Sequence, residues 1–311
     1  MKYKDVIERI RFATNSTHDL SGKAAQPYFS NHNMNIQLKF ALDKYASYTH
    51  AIEGFYSTQA KTTGEVIQMP DDLIRSQGIR YIFIYNKGLR YPLLEKDPNN
   101  VFSNFPVQNI TGIPGWYLHW ANEVTLYPIN NLDPSVTSLL NDISATDTQI
   151  ELATDVSLAA KQGRVTIENE KICYGWKTGT TLYNCQRGVE GTTASSHLRT
   201  TTVTENNTII LYRKLHWSFD VPKNSDRVDA VWADKEMEIP DEHIEVICDN
   251  VSYKLLAKVS PDRADFYKID FDKWLEEAKY QIQKGRSEIT KTDEVRNGFW
   301  SERDTSAYRY Y

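Results

Sequence analysis

The stretch RYIFIYNKGLRYPLL, Arg80 to Leu94, decides the fold class. Its first six residues are mostly aromatic or β-branched, a composition that suits a pleated, half-buried surface. Asn86-Lys87-Gly88 interrupts the run, and Leu89-Arg90-Tyr91-Pro92-Leu93 resumes it. Two such runs around an Asn-x-Gly turn predict a β-hairpin. Downstream, Gly115-Trp116-Tyr117-Leu118-His119-Trp120 and Glu123-Val124-Thr125-Leu126-Tyr127-Pro128 predict a second hairpin turning at Ala121-Asn122. Upstream, Thr63 to Pro70 reads as a short strand.

Further out from these hairpins the period changes from two to that of a helix. Tyr3, Val6, Ile7 and Ile10 fall at i, i+3, i+4, i+7 with charges between them. Asn15 to Ser30 is polar, carries Gly22 and Pro27, and reads as a loop. Asn33 is the expected N-cap of a second helix whose stripe is Leu38, Ala41, Leu42, Tyr45, Thr49 and Ile52, with Gly54 as its stop. Near the other end, Pro240-Asp241-Glu242 opens a helix carrying Ile244, Ile247, Cys248, Val251 and Leu255. Ser260-Pro261-Asp262 breaks it. A last helix lines up Tyr267, Phe271, Trp274, Leu275, Ala278 and Ile282, with Gly285 as the expected end.

The fold class expected from this pattern is α+β: a helical bundle built from N- and C-terminal helices with a β-rich middle. Ile7, Ile10, Leu38, Leu42, Tyr45, Ile247, Val251, Leu255, Trp274 and Leu275 are the residues expected in the bundle core or in packing between subunits. From about Asn130 to Asn207 short strands alternate with Thr, Gly and Asn turns, as in Gly163–Ile167, Glu170–Tyr174 and Thr181–Cys185. This predicts an inserted all-β module. Strand texture resumes at Thr208–Arg213, so the insertion is placed between two neighbouring strands of a host domain. The expected organisation is therefore 1–129 with 208–285, an inserted module at 130–207, and an extended C-terminal docking tail at 286–311.

Composition narrows the function classes. The chain has 311 residues, 40% of them hydrophobic, enough for a substantial core. Its net charge is −5 and no basic block stands out, which argues against nucleic-acid binding by overall field. No apolar run suits a signal peptide or a membrane span. Aromatics reach 12%, with 19 Tyr and 7 Trp, which suits a β core or anchors at protein interfaces. The cysteines are Cys173, Cys185 and Cys248. Their odd number and lack of CxxC spacing suit neither a disulfide framework nor a zinc site, although a hairpin could bring Cys173 and Cys185 face to face.

Catalytic signatures are lacking. There is no P-loop, GxGxxG, GxSxG or HExxH. The seven His have no metal-ligand spacing, and His119 between Trp116 and Trp120 reads as packed or solvated. Asp71-Asp72 and Asp241-Glu242 follow prolines at element starts and read as caps, and Glu276-Glu277 as a solvated helix face. The expectation is no catalytic residue, no metal and no cofactor. Trp176, Tyr174 and Tyr183 could form a stacking surface for a glycan, although strand alternation would bury about half of them. The polar C-terminal end is different, because it carries Phe299, Trp300, Arg303, Tyr308, Arg309, Tyr310 and Tyr311. A free segment with such anchors is expected to order on a partner.

The order of these features resembles the head-to-tail adaptor (connector, or tail accessory) proteins of tailed bacteriophages, especially short-tailed ones. The resemblance runs through Asp5–Phe12, Ala41-Leu42-Asp43-Lys44-Tyr45, Met69-Pro70-Asp71-Asp72-Leu73, the Arg80–Leu94 hairpin, Leu126-Tyr127-Pro128, Ile210–Arg213 and Ile239-Pro240-Asp241-Glu242-His243. It covers 1–128 and 208–285. The insertion resembles small β (Ig-like) domains of phage virion proteins, through Val165–Tyr174 and RGVEGTTASSH at Arg187–His197. The resemblance implies a non-enzymatic virion protein of the neck or tail. It implies a self-assembled ring, commonly a dodecamer, docked on the portal protein and joined to further tail or ring proteins. Duplex DNA would pass through the lumen without sequence recognition, and no membrane would be involved. The tail residues named above are then the expected portal contact. The alternative is a tail-associated host-surface or glycan-binding protein acting through the β module.

Overall fold

The computed structural model describes residues 1–15, 29–59, 66–74, 78–97, 111–130, 132–216 and 234–297, and of residues 31, 130 and 285–297 the backbone alone. The chain is mixed α+β with a β-rich middle containing several sheets. It divides into two compact units. One joins Met1–Ile52 to the chain from Lys214 onward, and the other is Glu53–Arg213.

The first unit is helical. Helix α1 spans Tyr3–Thr14, α2 Asn31–Thr49, α3 Asp241–Leu256, the short α4 Pro261–Ala264 and α5 Phe271–Asn297, with a 3-10 turn at Asp265–Tyr267. The apolar stripes read from the sequence converge on a single cluster. Helix α1 contributes Tyr3, Val6, Ile7 and Ile10, α2 Met34, Leu38, Leu42 and Tyr45, α3 Ile244, Ile247, Val251 and Leu255, and α5 Phe271, Leu275 and Ala278. Burying each large aliphatic side chain contributes about 1.5–3 kcal/mol, so this cluster is the main source of the unit's stability.

Three helix boundaries differ from expectation. Ser30, not Asn33, caps α2, its hydroxyl accepting from the Asn33 amide at 3.3 Å. A serine oxygen one turn before the first free amides does what the cap requires, which leaves Asn33 inside the helix. The same helix stops at Thr49, where His50 takes the left-handed conformation (φ 54°), so Gly54 is free to lie in a strand. Gly285 does not end α5, which continues to Asn297. A single glycine costs a helix about 1 kcal/mol relative to alanine, and the next twelve residues contain no proline to break it. The expected extended tail therefore begins as helix, while 298–311 lies outside the described residues, as does most of the Asn15–Ser30 loop.

The second unit holds the strands. β1 is Glu53–Thr58, β2 Ile67–Gln68, β3 Ile79–Asn86, β4 Leu89–Glu95, β5 Thr111–Gly112, β6 Trp116–Trp120, β7 Glu123–Tyr127, β8 Ile129–Asn130, β9 Val136–Ser138, β10 Gln149–Glu151, β11 Arg164–Ile167, β12 Glu170–Cys173, β13 Trp176–Thr178, β14 Thr181–Tyr183, β15 Thr202–Glu205 and β16 Thr208–Arg213. Seven of them form one sheet in the order β1-β16-β3-β4-β6-β7-β2. The β3–β4 hairpin pairs Asn86 with Leu89, leaving a two-residue turn of Lys87 (φ 50°) and Gly88 (φ 77°). Two left-handed residues match the turn to the right-handed twist of the strands. The β6–β7 hairpin turns at Ala121 (φ 55°) and Asn122. Alternation puts Ile82, Ile84, Leu93, Tyr117, Leu126 and Ile210 on the sheet's buried face.

The strands on either side of residues 132–207 are not neighbours in the sheet. β7 lies toward one edge, whereas β16 runs between β1 and β3 near the other. Residues 132–207 build a three-stranded sheet, β10-β14-β13, and a four-stranded sheet, β12-β11-β15-β9. Their apolar side chains, among them Leu139, Ile150, Val165, Ile172, Tyr174, Leu182 and Val203, form a cluster distinct from that of the seven-stranded sheet. Among the described residues, no helix is long and apolar enough to cross a membrane.

Candidate functional site

The structure brings the expected core residues together. Ile7, Ile10, Leu38, Leu42, Tyr45, Ile247, Val251, Leu255 and Leu275 are each at most 1% exposed and belong to the helical unit's cluster. Trp274 is partly buried beside it and stacks on Tyr45 and Phe271, with ring centroids 6.0 and 5.4 Å apart. The Tyr45 hydroxyl lies 2.7 Å from His243 Nδ1, and burial holds the His243 pKa below its ordinary value. Elsewhere on α2, Ile36 and Phe40 sit four residues apart and are exposed, whereas the Tyr48 hydroxyl donates to Glu276 of α5 at 3.4 Å and Lys279 Nζ lies 4.8 Å over the Tyr48 ring. The i, i+4 spacing makes Ile36 and Phe40 neighbours on the helix surface. Phe299, Trp300, Arg303, Tyr308, Arg309, Tyr310 and Tyr311 lie outside the described residues.

The densest polar geometry is built by RGVEGTTASSH, Arg187–His197. Left-handed residues bend the chain here: Gly188 (φ 62°), Glu190 (φ 56°) and Gly191 (φ 81°), preceded by Asn184 (φ 52°). At Gly188 an added Cβ would meet the Ala194 amide nitrogen at 2.7 Å, so only glycine fits. The bends turn the segment back onto Glu170 at the start of β12. The Glu170 carboxylate accepts from Arg187 Nε and Nη2, both at 2.8 Å, and from the amides of Gly188 at 2.9 Å and Ser195 at 3.1 Å. It also meets His197 Nε2 at 2.8 Å. Burial opposes the charge on Glu170, but the Arg187 and His197 contacts and the two amides outweigh it and hold the pKa down to about 2.

A second carboxylate hub sits at Glu190. It accepts from the Ser57 amide at 2.7 Å, the Ser57 hydroxyl at 3.0 Å and Lys171 Nζ at 2.9 Å. Arg164 Nε approaches it to 2.9 Å as a charge contact without an aligned hydrogen bond. The Arg164 guanidinium lies 4.5 Å over the Phe55 ring, and Lys171 Nζ 4.5 Å over the Tyr56 ring. Asn206 Nδ2 donates to the Ser57 hydroxyl at 3.1 Å. The most motif-like stretch of the chain thus folds residues 132–207 upon themselves through Glu170 and ties them to β1 through Glu190.

One part of this network has the spacing of a hydrolytic triad. Ser195 Oγ lies 3.3 Å from His197 Nε2, and Glu168 Oε2 lies 2.9 Å from His197 Nδ1. Glu170 also meets Nε2, at 2.8 Å, so each ring nitrogen faces a carboxylate oxygen, and the Glu170 oxygen stands closer to Nε2 than Ser195 Oγ does.

The remaining candidates separate cleanly. Tyr174 is fully buried and donates to the Ala159 carbonyl at 2.8 Å, so it cannot join a stacking surface. Trp176 and Tyr183 stack on each other, 5.5 Å apart and 10° from parallel, which turns one face of each ring inward to its neighbour. His119 Nε2 lies 3.0 Å from the Ala121 carbonyl oxygen. Asp72 accepts from the Tyr212 hydroxyl at 3.0 Å, and Glu276 and Glu277 are exposed. All three cysteines are free thiols; Cys173 pairs through its backbone with Gln186, and burial pushes Cys185 and Cys248 up to about 12. Among the described residues no group of His, Cys, Asp or Glu is arranged to hold a metal ion.

No protein-family model matches the chain, and no curated protein matches it. The two carboxylate hubs were missed in the sequence, though a signal for one was present. Period two along β12 puts Glu170 on the same face as Ile172 and Tyr174, and a carboxylate in an apolar register needs a buried cation.

Proposed function

We propose that the chain is a structural virion protein, a ring-forming head-to-tail adaptor that docks on the portal, connects it to tail components and helps retain and conduct the packaged DNA. The observation that carries this reading is the single core shared by helices from the two ends of the chain, α1 and α2 with α3 and α5. We read that core as a helical bundle. Together with a sheet-forming middle it matches the order of features in the adaptor resemblance. Residues 130–207 are read as the inserted module and 286–311 as the portal-docking tail.

Physical chemistry is consistent with this reading. A closed ring needs two different faces on each subunit. The exposed pair Ile36 and Phe40 on α2 offers an apolar patch for one of them. A lumen must pass duplex DNA without gripping it, and a net charge of −5 suits a bore that does not gather phosphate. The glycan-binding alternative has less to stand on, because Tyr174 is fully buried and Trp176 and Tyr183 stack on each other. Deleting Asn297–Tyr311 tests the tail assignment. The truncated chain should keep its melting behaviour and lose co-sedimentation with portal rings; unchanged co-sedimentation would refute the assignment.

A further inference from the structure

β1 is an edge strand of the seven-stranded sheet, paired on one side with β16. The other edge strand, β2, is only two residues long, whereas β1 has six. Six residues are enough for a productive strand pair. In an antiparallel strand the N–H and C=O of one residue point to the same side. Both of these groups on Ser57 are taken by side chains of residues 132–207. Glu190 accepts from the amide at 2.7 Å, and Lys171 Nζ donates to the carbonyl at 2.6 Å. Ser57 therefore faces outward, away from β16, and so by alternation do Phe55 and Glu53.

The Glu190–Lys171 ion pair, 2.9 Å between charged atoms, supplies one acceptor and one donor at the position where an incoming strand would supply the same two. The pair is well set for the task. The Glu190 side chain is 6% exposed, Ser57 is fully buried, and Asn206, itself held by Thr166 Oγ1 at 2.9 Å, takes the serine hydroxyl. From Gly54 to Thr58 the strand reads Gly-Phe-Tyr-Ser-Thr, uncharged and rich in β-formers. Such an edge, left open, is a template for another copy of itself.

We propose that the Glu190–Lys171 pair is an edge guard, which blocks antiparallel pairing of β1 with the β1 edge of a second copy of this chain. The occupant it excludes is that strand because like edges are self-complementary about a two-fold axis. The guard is needed whether or not the chain builds a ring, so this proposal stands apart from the adaptor reading. In a chain that does assemble with its own copies, it would keep association on the intended faces.

The left-handed backbone at Glu190 (φ 56°) provides a clean test. Glu190→Gly removes the carboxylate while suiting the turn better than glutamate does. Amide exchange at Ser57 should quicken about tenfold or more, the loss expected for one charge-assisted hydrogen bond. Sedimentation velocity should show a concentration-dependent associated species absent from the wild type. Lys171→Met, which strips the carbonyl half of the guard, should yield the same species. Adding Ser57→Pro to Glu190→Gly removes the outward N–H and should abolish it. Unchanged Ser57 exchange in Glu190→Gly would overturn the proposal. So would faster exchange with wild-type association, or an associated species that survives Ser57→Pro.

Discussion

Replacing Glu170 with glutamine should cost the strand unit about 3 kcal/mol, and the structure gives the magnitude from two directions. The carboxylate is 1% exposed, and its pKa falls from 4.5 to about 2. That depression corresponds to about 3 kcal/mol of stabilisation at neutral pH. The cluster opens toward solvent through Glu168, whose side chain is 62% exposed, so screening trims the figure to about 2 kcal/mol. The substitution would also leave the Arg187 guanidinium, 5% exposed, without its bidentate partner. Breaking one side of a buried ion pair costs about 3–5 kcal/mol. The amide oxygen of the introduced glutamine still accepts from Gly188 or Ser195, which brings the expected loss back to about 3 kcal/mol. For a unit of this size that lowers the melting midpoint by about 6–12 °C, measurable by calorimetry. The sign with pH is equally definite. Because the folded pKa lies below the unfolded one, the stabilisation is complete above about 4.5 and is lost as pH falls toward 2. The wild type should therefore approach Glu170→Gln in stability as the solution is acidified through that range. A variant that melts within about 2 °C of wild type at pH 7 would refute the assignment of Glu170 as the organising charge.

Glu205 should respond with the opposite sign. It is buried, burial raises its pKa, and one of its oxygens has no hydrogen-bond partner, so Glu205→Gln should raise the neutral-pH melting midpoint, with the gain shrinking as acid protonates the wild type. Leu42→Ala, at a site 1% exposed, should cost the helical unit about 2–5 kcal/mol in chemical denaturation. His243 has a folded pKa below its unfolded value, so the unfolded chain takes up its proton first and the helical unit should lose stability as pH falls below about 6.5. Equilibrium denaturation at successive pH values checks this, and His243→Gln should remove that part of the slope.

Much of the fold was legible because local chemistry and tertiary packing agree. Lys87-Gly88 and Ala121-Asn122 could only be turns between runs of that composition, and both are. The helical stripes needed one side of each helix to be apolar, and Tyr3 through Ile10 and Ile244 through Leu255 satisfy that without ambiguity. What escaped was non-local. Nothing in Thr208–Arg213 tells it to insert between β1 and β3 rather than beside β7, since any antiparallel neighbour would satisfy its alternation. β9, β13 and β15 are three or four residues long and largely polar, too short for a period to register. The α2 cap was misplaced because Ser30 and Asn33 are both good caps and only geometry chooses between them. The carboxylate hubs were hidden for a related reason. Arg187 follows Glu170 by 17 residues and Glu190 lies 133 residues from Ser57, so their partnerships exist only in three dimensions.

The adaptor reading stands or falls on assembly. Electron microscopy of the purified chain mixed with portal rings tests it most directly. A closed ring of this chain seated on one end of the portal is the predicted result. Portal particles that remain bare, with this chain alone in solution at every ratio tried, would contradict it.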